Sequence, residues 1–363
     1  MTERSVERMH LLKSLSEAFG PSGCEDPAAA LLRETVSPYA DEVSADRLGS
    51  VIALYRRRAP EQSWDPDAEP ASGDAPDCGR LMLAAHMDEP GFMIASADGD
   101  GYLHVSALSG RDPMTLNAED VWVGNEEGQV PGYFGVKPAH LGGSGDYGSL
   151  YVDIGAKDKE DAEKHVKKAD FGAYRSALTP LGAHRLMGKA LGGRGGCAVL
   201  CDVLRRLKEE DAVLPFDVYF VFTTRELIGG SSAAAANKIG PDLSLLFDGA
   251  AADDTRGEEY GFGTRLGEGA ALSHMDRSAI YDRELCRFLA DTAAARGIPA
   301  QTCRYPLPGR DSGPVNRSGI GVKAAVLSLP VRNLGTGNEV ADFRDFEALC
   351  ELAREAVLAL GRG

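Results

Sequence analysis

The chain lacks the features of an exported or membrane-embedded protein. Its first twenty residues carry charges throughout and contain no apolar segment of the kind found in a signal peptide. The longest apolar runs, such as residues 218–222, are far too short to cross a bilayer. The 7 cysteines are an odd number and form no C-x-x-C pair, which is typical of reduced thiols. We therefore expect a cytoplasmic protein with no membrane partner.

Several common sites are also missing from the sequence. The net charge of −16 makes a nucleic-acid partner unfavourable, because phosphate would be repelled over most of the surface. No G-x-S-x-G segment occurs, and no cysteine has a histidine partner nearby, so serine and cysteine hydrolases have no support. A glycine-containing run over 182–190 is one residue too long for a phosphate loop and ends in Ala190 instead of Ser or Thr.

An alternation of strands and helices organises the chain. Short apolar runs at 51–55, 81–85, 217–223, 243–247 and 323–329 predict buried strands. Helical periodicity is found at the start of the chain, near 195–208 and at the end. The pattern predicts an α/β fold, a mostly parallel sheet with helices on both faces. Residues 90–180 are β-rich and indicate a small inserted module, while 57–80 indicate an exposed acidic loop.

Polar residues follow three of the predicted strands. His86 and Asp88 come after the strand at 81–85, Glu226 after the one at 217–223, and Asp248 after the one at 243–247. Ligands bind beyond the carboxyl ends of strands in open α/β sheets, so these side chains are predicted to share one site. The imidazole could bind a metal while Asp88 holds its other nitrogen, and Glu226 could act as a base. Taken alone, the pattern also suits a surface histidine and an exposed glutamate.

Many ordered segments carry a family resemblance. They include GPSGCED, LMLAAHMDEPGFM, LSGRDPMTL, LYVDIGAKDKEDAE, GKALGGRGGCAVL, DVYFVFTTRE and PGRDSGPV, spread over nearly the whole chain. Together they resemble the tetrahedral, glutamyl and deblocking metallo-aminopeptidases, which are often labelled endoglucanases. The resemblance implies a zinc-peptidase-like domain formed by 1–89 and 181–363, and a β-barrel-like insertion at 90–180 for dimerisation and assembly. It also implies a homo-oligomer, from dimer to tetrahedral dodecamer.

The resemblance implies a two-metal site that has lost ligands. The family holds two zinc or cobalt ions with five side chains, of which His86 and Asp248 are present here. The bridging Asp falls on Gly192, the ligand after the base falls on Leu227, and the last histidine falls on Gly335. The base falls on Glu226, and we count Asp88 with it as catalytic. No histidine follows His274, so a shifted match cannot restore the last ligand.

These replacements predict that the family reaction is lost. Paired metals lie about 3.5–4 Å apart and need a bridging carboxylate, which a glycine cannot supply. His86 and Asp248 fall below the three protein ligands usual in a catalytic zinc site. We therefore expect no metal, or one weakly bound divalent ion. The alternative is an active aminopeptidase with a mononuclear or rebuilt site, and a further one is metal-free chemistry using Glu226 and arginines.

The altered segment also suggests a ligand. Residues 192–196, GGRGG, are predicted to precede a helix, where free backbone N–H groups favour an anion. Arg194 and Arg225 would add positive charge, and Asp311 is counted with them at a binding site for peptides or a small anion. Glycines that merely fill space are an equally good explanation. Cys197, Asp253, Asp254 or Asp311 could instead recruit a metal in a different arrangement. A partnership with an active relative is a further possibility.

Overall fold

A computed structural model describes residues 2–56, 79–109, 113–138, 140, 150–255, 263–303 and 308–361. The described helices are α1 (Glu3–Glu17), α2 (Asp26–Val36), α3 (Lys159–His165), α4 (Leu191–Glu209), α5 (Ser232–Ile239), α6 (Arg283–Arg296), α7 (Ser312–Asn316) and α8 (Phe343–Leu360). Among the described residues, no helix is both long and apolar enough to span a bilayer. The predicted acidic loop lies outside the described residues except for Gly79 and Arg80.

The strands divide into two groups along the chain. Those of the large sheet are β1 (Glu42–Ala45), β2 (Val51–Tyr55), β3 (Arg80–His86), β10 (Thr179–Leu181), β11 (Arg185–Gly188), β12 (Asp217–Thr223), β13 (Leu243–Ala251), β14 (Ala270–Leu272), β15 (Ala300–Thr302), β16 (Lys323–Arg332) and β17 (Glu339–Asp342). Those of a small barrel are β4 (Gly91–Ala97), β5 (Leu103–Ala107), β6 (Asp120–Asn125), β7 (Gly128–Val136), β8 (Leu150–Asp153) and β9 (Phe171–Tyr174).

The large sheet is parallel at its centre and antiparallel at its flanks. Its order is β1-β2-β12-β3-β13-β16-β17-β11-β10, with β14 and β15 attached beside β16. Strands β12, β3, β13 and β16 run parallel, and their continuous apolar runs are buried because helices flank the sheet. The predicted α/β class is confirmed. The sheet as a whole is mixed, since β1, β2, β17, β11 and β10 pair antiparallel. Of these five strands only β2 was predicted, and the other four were too short or too polar to be recognised.

The β-rich segment folds into a closed six-stranded barrel. Its strands follow the order β4-β5-β8-β7-β6-β9, and β9 closes it by pairing with β4. The barrel has its own apolar core, in which the rings of Phe92 and Phe134 meet edge to face at 4.9 Å. The predicted β-barrel-like module is therefore present in the fold.

Helix α4 begins earlier than its sequence predicts. The glycine segment lies inside its first turns instead of preceding them, and the helix starts at Leu191. Glycine at position 196 allows α4 to pack close to the sheet. A Cβ at Gly196 would lie 2.6 Å from the Phe247 carbonyl oxygen and 3.0 Å from Ala85 Cβ. The sequence predicted a later start for α4, because glycine is a poor helix former in water.

Candidate functional site

A cavity of about 490 Å³ opens at the carboxyl ends of the central strands, between the large sheet and the barrel. His86 is the last residue of β3, Asp248 lies within β13, and Glu226 begins the turn after β12. The barrel contributes Ser109 and Thr115 to the wall. The charged residues and the histidine that line the cavity are His86, Asp88, Glu226, Asp248, Arg310 and Glu339. The four residues predicted from the strand ends do share one cavity.

Asp88 anchors the imidazole of His86. Its Oδ1 lies 3.1 Å from His86 Nδ1, and its Oδ2 accepts a 2.6 Å hydrogen bond from Ser22 Oγ. The backbone N–H groups of Glu226 and Leu227 donate to the same carboxylate at 3.1 and 3.2 Å. Burial disfavours the ionised carboxylate, but these hydrogen bonds and the charge of His86 outweigh it and lower the pKa of Asp88. Asp88 therefore positions both His86 and the turn that carries Glu226.

The second ring nitrogen of His86 faces Asp248. The distance from Nε2 to Asp248 Oδ1 is 3.4 Å, and the side chain of His86 is almost completely buried. Burial acts to lower the pKa of His86, but the two carboxylates raise it well above the ordinary value. In this arrangement both ring nitrogens face carboxylates, which favour the protonated imidazole over the neutral one.

Arg310 is a site residue that the sequence analysis missed. Its Nε lies 3.0 Å from Asp248 Oδ2, Nη1 donates to Ser328 Oγ at 2.9 Å, and Nη2 donates to the Gly249 carbonyl. Burial disfavours the ionised form of Asp248, yet Arg310 and His86 hold its pKa far below the usual range. The sequence feature that could have identified Arg310 is the segment PGRDSGPV, in which it directly precedes Asp311. Only the tertiary fold brings this arginine to Asp248.

Glu226 is a cavity carboxyl group whose pKa is strongly raised. Burial raises the pKa of Glu226 to about 8; the charge of His86 opposes this, and the charges of Asp248 and Asp311 add to it. Both protonation states are therefore populated near neutral pH, which a general acid or base requires. The structure places Glu226 where the predicted base would have to lie, on the wall of the same cavity.

The surroundings of Gly192 and Leu227, two of the positions where the resemblance implies missing ligands, are apolar. A Cβ at Gly192 would lie 2.8 Å from Leu334 Cδ1, so the leucine side chain fills the space beside the glycine. A Cβ at Gly193 would lie 2.3 Å from His86 Cε1, so the imidazole covers the next glycine. Leu227 lines the cavity and has no atom that could bind a metal.

The carboxylate of Glu339 joins the start of α4 to the loop that follows β16. It accepts hydrogen bonds from Gly192 N at 3.1 Å and from Gly335 N at 2.5 Å. Gly335 has a φ of +90°, which other residues rarely adopt. The helix N-terminus therefore already has an anion of its own, and Gly335 contributes to the site through its backbone.

The predicted anion site is not built by the residues proposed for it. Arg194 is buried, and its guanidinium donates to the carbonyls of Met87 and Leu15. Arg225 is exposed, and its backbone N–H donates a hydrogen bond to the Glu25 carboxylate. Neither Arg194 nor Arg225 lines the described cavity. The prediction was wrong for Arg194 because α4 begins at Leu191, which turns that side chain towards the end of α1.

Asp311 lies behind the cavity instead of in its wall. It is buried, and its Oδ2 accepts a 2.6 Å hydrogen bond from Thr223 Oγ1. Burial raises the pKa of Asp311 to about 6 against the effect of that hydrogen bond. Direct contact of Asp311 with a ligand in the cavity, as predicted, therefore has no support in the geometry.

The residues suggested as ligands of an alternative metal site are not grouped around a common point. The buried Cys197 thiol donates to the His86 carbonyl, and burial raises the pKa of Cys197 to about 12. Asp254 forms an ion pair with Arg332, and Asp253 is exposed. Among the residues that the structure describes, no group of three or more His, Cys, Asp or Glu side chains is arranged to hold a metal ion.

The fold and this cavity can be compared with known proteins. A family model described as M42 glutamyl aminopeptidase matches residues 71–352, a span that contains the six cavity residues described above. The chain belongs to the M42 family. This confirms the resemblance to glutamyl aminopeptidases that the ordered sequence segments indicated.

Several aminopeptidases and peptidases resemble the chain over almost its entire length. It is 31% identical to the lysyl aminopeptidase of Pyrococcus furiosus over 95% of each chain. The TET aminopeptidase of the archaeon Thaumarchaeota archaeon SCGC AB-539-E09 superposes with a TM-score of 0.87 at 29% identity, covering 99% of this chain and 100% of the other. The TET1 peptidase of Pyrococcus horikoshii, which can assemble into a tetrahedron or a large octahedral shell, has a TM-score of 0.78 at 26% identity, covering 97% and 98%.

Proposed function

We propose that this M42-family chain binds peptides in its cavity without running the two-metal hydrolysis of metal-dependent relatives. The carboxylate of Asp248 is the observation on which the proposal rests. Its Oδ1 accepts the Gly249 N–H at 2.6 Å and faces His86, and its Oδ2 is paired with Arg310. A carboxylate already paired with a guanidinium binds a metal ion more weakly than a free carboxylate, because the ion must approach or displace that positive charge.

The remaining cavity residues do not fit a pair of metal ions. Two ions need a bridging carboxylate, and Leu334 fills the space beside Gly192 where that bridge would stand. Leu227 and Gly335 bring no side-chain oxygen or nitrogen. We therefore assign no catalytic step to a bound metal, and we give Asp88 the role of positioning His86.

The charge of the cavity favours an amine over an anion. Four carboxyl groups line it, those of Asp88, Glu226, Asp248 and Glu339, and they face the imidazole of His86 and the guanidinium of Arg310. Even with Glu226 largely protonated at neutral pH, three carboxylates face these two groups. The excess of negative charge attracts a positive group and repels a carboxylate or phosphate. We infer that the ligand is a peptide whose free amino end enters the cavity.

Purified protein tests the proposal directly. After dialysis we expect no stoichiometric metal by mass spectrometry, and no turnover of unblocked amino-acid anilides with or without added zinc, cobalt or manganese. Calorimetry should detect binding of a short peptide with a free amino end, and the same peptide acetylated at that end is the matched control. Robust metal-dependent turnover would contradict the proposal, as would equal binding of both peptides.

One distance supports a second candidate function. His86 Nε2 and Asp248 Oδ1 are 3.4 Å apart, close enough for both to reach one zinc ion at about 2.0–2.2 Å each. Glu226, with its raised pKa, would suit a base beside such an ion. If the protein is such a mononuclear aminopeptidase, its turnover of peptides should depend on added metal and should be lost in Glu226→Gln. Metal-independent turnover removed by the same variant would instead indicate changed chemistry.

We also propose that copies of this chain assemble with one another in the cytoplasm. Residues 1–89 and 181–363 would form the peptidase-like domain, and the barrel within 90–180 would mediate dimerisation. The proposal is supported by the shells formed by the TET1 relative and by six described cysteines, all free and buried. Light scattering should give a mass that is an even multiple of the chain. A monomer at micromolar concentration would contradict assembly, and co-purification with an active relative would indicate a mixed shell.

A further inference from the structure

We propose that Arg310 is a built-in cation that keeps divalent metal ions away from the His86–Asp248 pair. This inference rests on the proposed loss of metal chemistry and names the residue responsible for it. The missing ligands at Gly192, Leu227 and Gly335 explain why two metals cannot be held together. They do not explain why one ion should fail to bind the two ligands that remain.

The spacing of those two ligands is not what excludes an ion. His86 Nε2 and Asp248 Oδ1 are 3.4 Å apart, which matches two ligands on one zinc ion at about 2.0–2.2 Å from each. The cavity beside them is open and also lined by Glu226. Among the described residues no third donor is arranged with this pair, but two donors at this spacing are enough to hold one ion weakly where no positive charge opposes it.

The guanidinium of Arg310 changes that balance. It lies 3.0 Å from Asp248 Oδ2 and is fixed by two further hydrogen bonds, to Ser328 Oγ and to the Gly249 carbonyl. Arg310 is 7% exposed, so solvent does little to screen its charge. A dication binding to Asp248 would have to approach this fixed positive charge or displace it from three partners.

Arginine suits this task better than other residues would. The donors of its guanidinium match carboxylate and carbonyl oxygens in a rigid plane. Because Gly249 and Ser328 lie on the paired central strands β13 and β16, the plane is attached to the middle of the sheet. The arginine therefore balances the charge of Asp248 with a cation that is part of the chain, whereas a bound metal ion could leave.

Zinc binding by Arg310 variants tests the inference. Arg310→Gln removes the charge but keeps an amide that can bond to Ser328 or Gly249, and Arg310→Met removes both the charge and the donors. We expect each variant to bind zinc at least roughly tenfold more tightly than wild type in equilibrium dialysis, with one ion per chain. Arg310→Lys keeps the charge and should remain near wild type. Adding Asp248→Asn to Arg310→Gln should abolish the gain.

Arg332→Gln is the matched control. Arg332 also pairs with one carboxylate, that of Asp254, outside the cavity. Freeing that carboxylate should not create a zinc site, since it has no histidine beside it like His86. A gain in Arg332→Gln equal to that in the Arg310 variants would overturn the inference, because any uncovered carboxylate would then suffice.

Two further outcomes decide the matter separately. If folded Arg310→Gln and Arg310→Met bind zinc no better than wild type, Arg310 does not exclude the ion. If neither variant folds, Asp248→Asn alone decides: wild-type zinc affinity that falls in this variant would show that Asp248 already binds metal despite Arg310, and unchanged affinity supports the inference. Metal-dependent turnover by wild type would contradict the proposed function, whereas unchanged zinc binding in the variants contradicts only the role of Arg310.

Discussion

Lys189 and Glu89 form an ion pair inside the protein, beside the cavity but outside its wall. Lys189 Nζ lies 2.6 and 2.7 Å from the two carboxylate oxygens and also donates to the Ala18 carbonyl at 3.1 Å. Both side chains are at most 1% exposed. Burial lowers the pKa of Lys189 against the attraction of Glu89. The pair joins the segment before α4 to the segment that follows His86.

Removal of one partner should be far more harmful than removal of both. Lys189→Met leaves the Glu89 charge buried without a cation, and we expect a loss of about 3–5 kcal/mol in the free energy of unfolding. Lys189→Met with Glu89→Leu should recover most of this loss. Urea unfolding checks both variants, with Lys13→Met, in the exposed Lys13–Glu17 pair, expected to cost about 0.5 kcal/mol or less. A double variant as unstable as the single one would contradict the argument.

Asp345 should make part of the stability depend on pH. Burial raises the pKa of Asp345 to about 6, although it accepts hydrogen bonds of 2.7 Å from Gly267 N and Gly269 N. Between about pH 4 and pH 6 the folded chain holds this proton and the unfolded chain does not, so stability falls as pH rises through this window. For a shift of about 2 units the fall is at most about 3 kcal/mol.

The variant Asp345→Asn separates this contribution from those of the other acids. It lacks the titrating group, so its unfolding free energy should fall less than that of wild type between pH 4.5 and pH 6.5. Its stability will be lower at every pH, because an amide cannot accept both hydrogen bonds. The difference in slope is the quantity to measure, by urea unfolding at several pH values. Parallel curves for the two proteins would contradict the raised pKa.

At the scale of the element, α4 is the helix whose position decides the geometry of the cavity. Its first turn carries Gly192 and Gly193, which meet Leu334 and His86, and Gly196 lies against the strands β3 and β13. Because the glycines lack side chains, the helix lies closer to the sheet than an ordinary helix could. The short distance allows His86 to lie directly over the helix backbone.

Gly196→Ala should therefore separate α4 from the sheet. The added Cβ would lie 2.6 Å from a backbone oxygen, which cannot move aside as a side chain can. We expect a destabilisation of about 1–3 kcal/mol, measured by urea unfolding. Gly99→Ala is the matched control, since no heavy atom lies within 4 Å of a Cβ there. Equal stability of the two variants would show that the helix can shift at no cost.

For the molecule as a whole, the proposed function predicts that thermal stability does not depend on metal ions. A ligand that binds the folded state raises Tm by mass action, and its removal lowers Tm. If the folded chain holds no structural or catalytic metal, dialysis against EDTA should change its Tm by less than about 1 °C, and added zinc should not raise it. Differential scanning calorimetry of the same sample before and after dialysis checks this. A fall of several degrees in EDTA would identify a bound ion.

Much of the fold could be predicted from the sequence, because its signals are local. The central strands are continuous apolar runs, and the predicted strand at 51–55 and the one at 217–223 coincide with β2 and β12. The β-rich texture of 90–180 likewise predicted the barrel. The flanking strands β10, β11, β14 and β15 are three or four residues long, too short for a period to be recognised. Their existence depends on neighbours that are distant in sequence.

The sequence by itself determined which side chains the site can use. His86, Asp88, Glu226 and Asp248 follow from residue type and from their places at strand ends, whereas the lack of donors at Gly192, Leu227 and Gly335 is what the resemblance to the aminopeptidases implies. Only the tertiary structure decided how these groups are paired. Arg310 meets Asp248 because a loop 62 positions further along the chain returns to the same strand edge, and Arg194 turns away because the helix starts at Leu191. Residue chemistry is encoded locally, whereas ion pairs across the sheet depend on which distant segments the fold brings within a few ångströms.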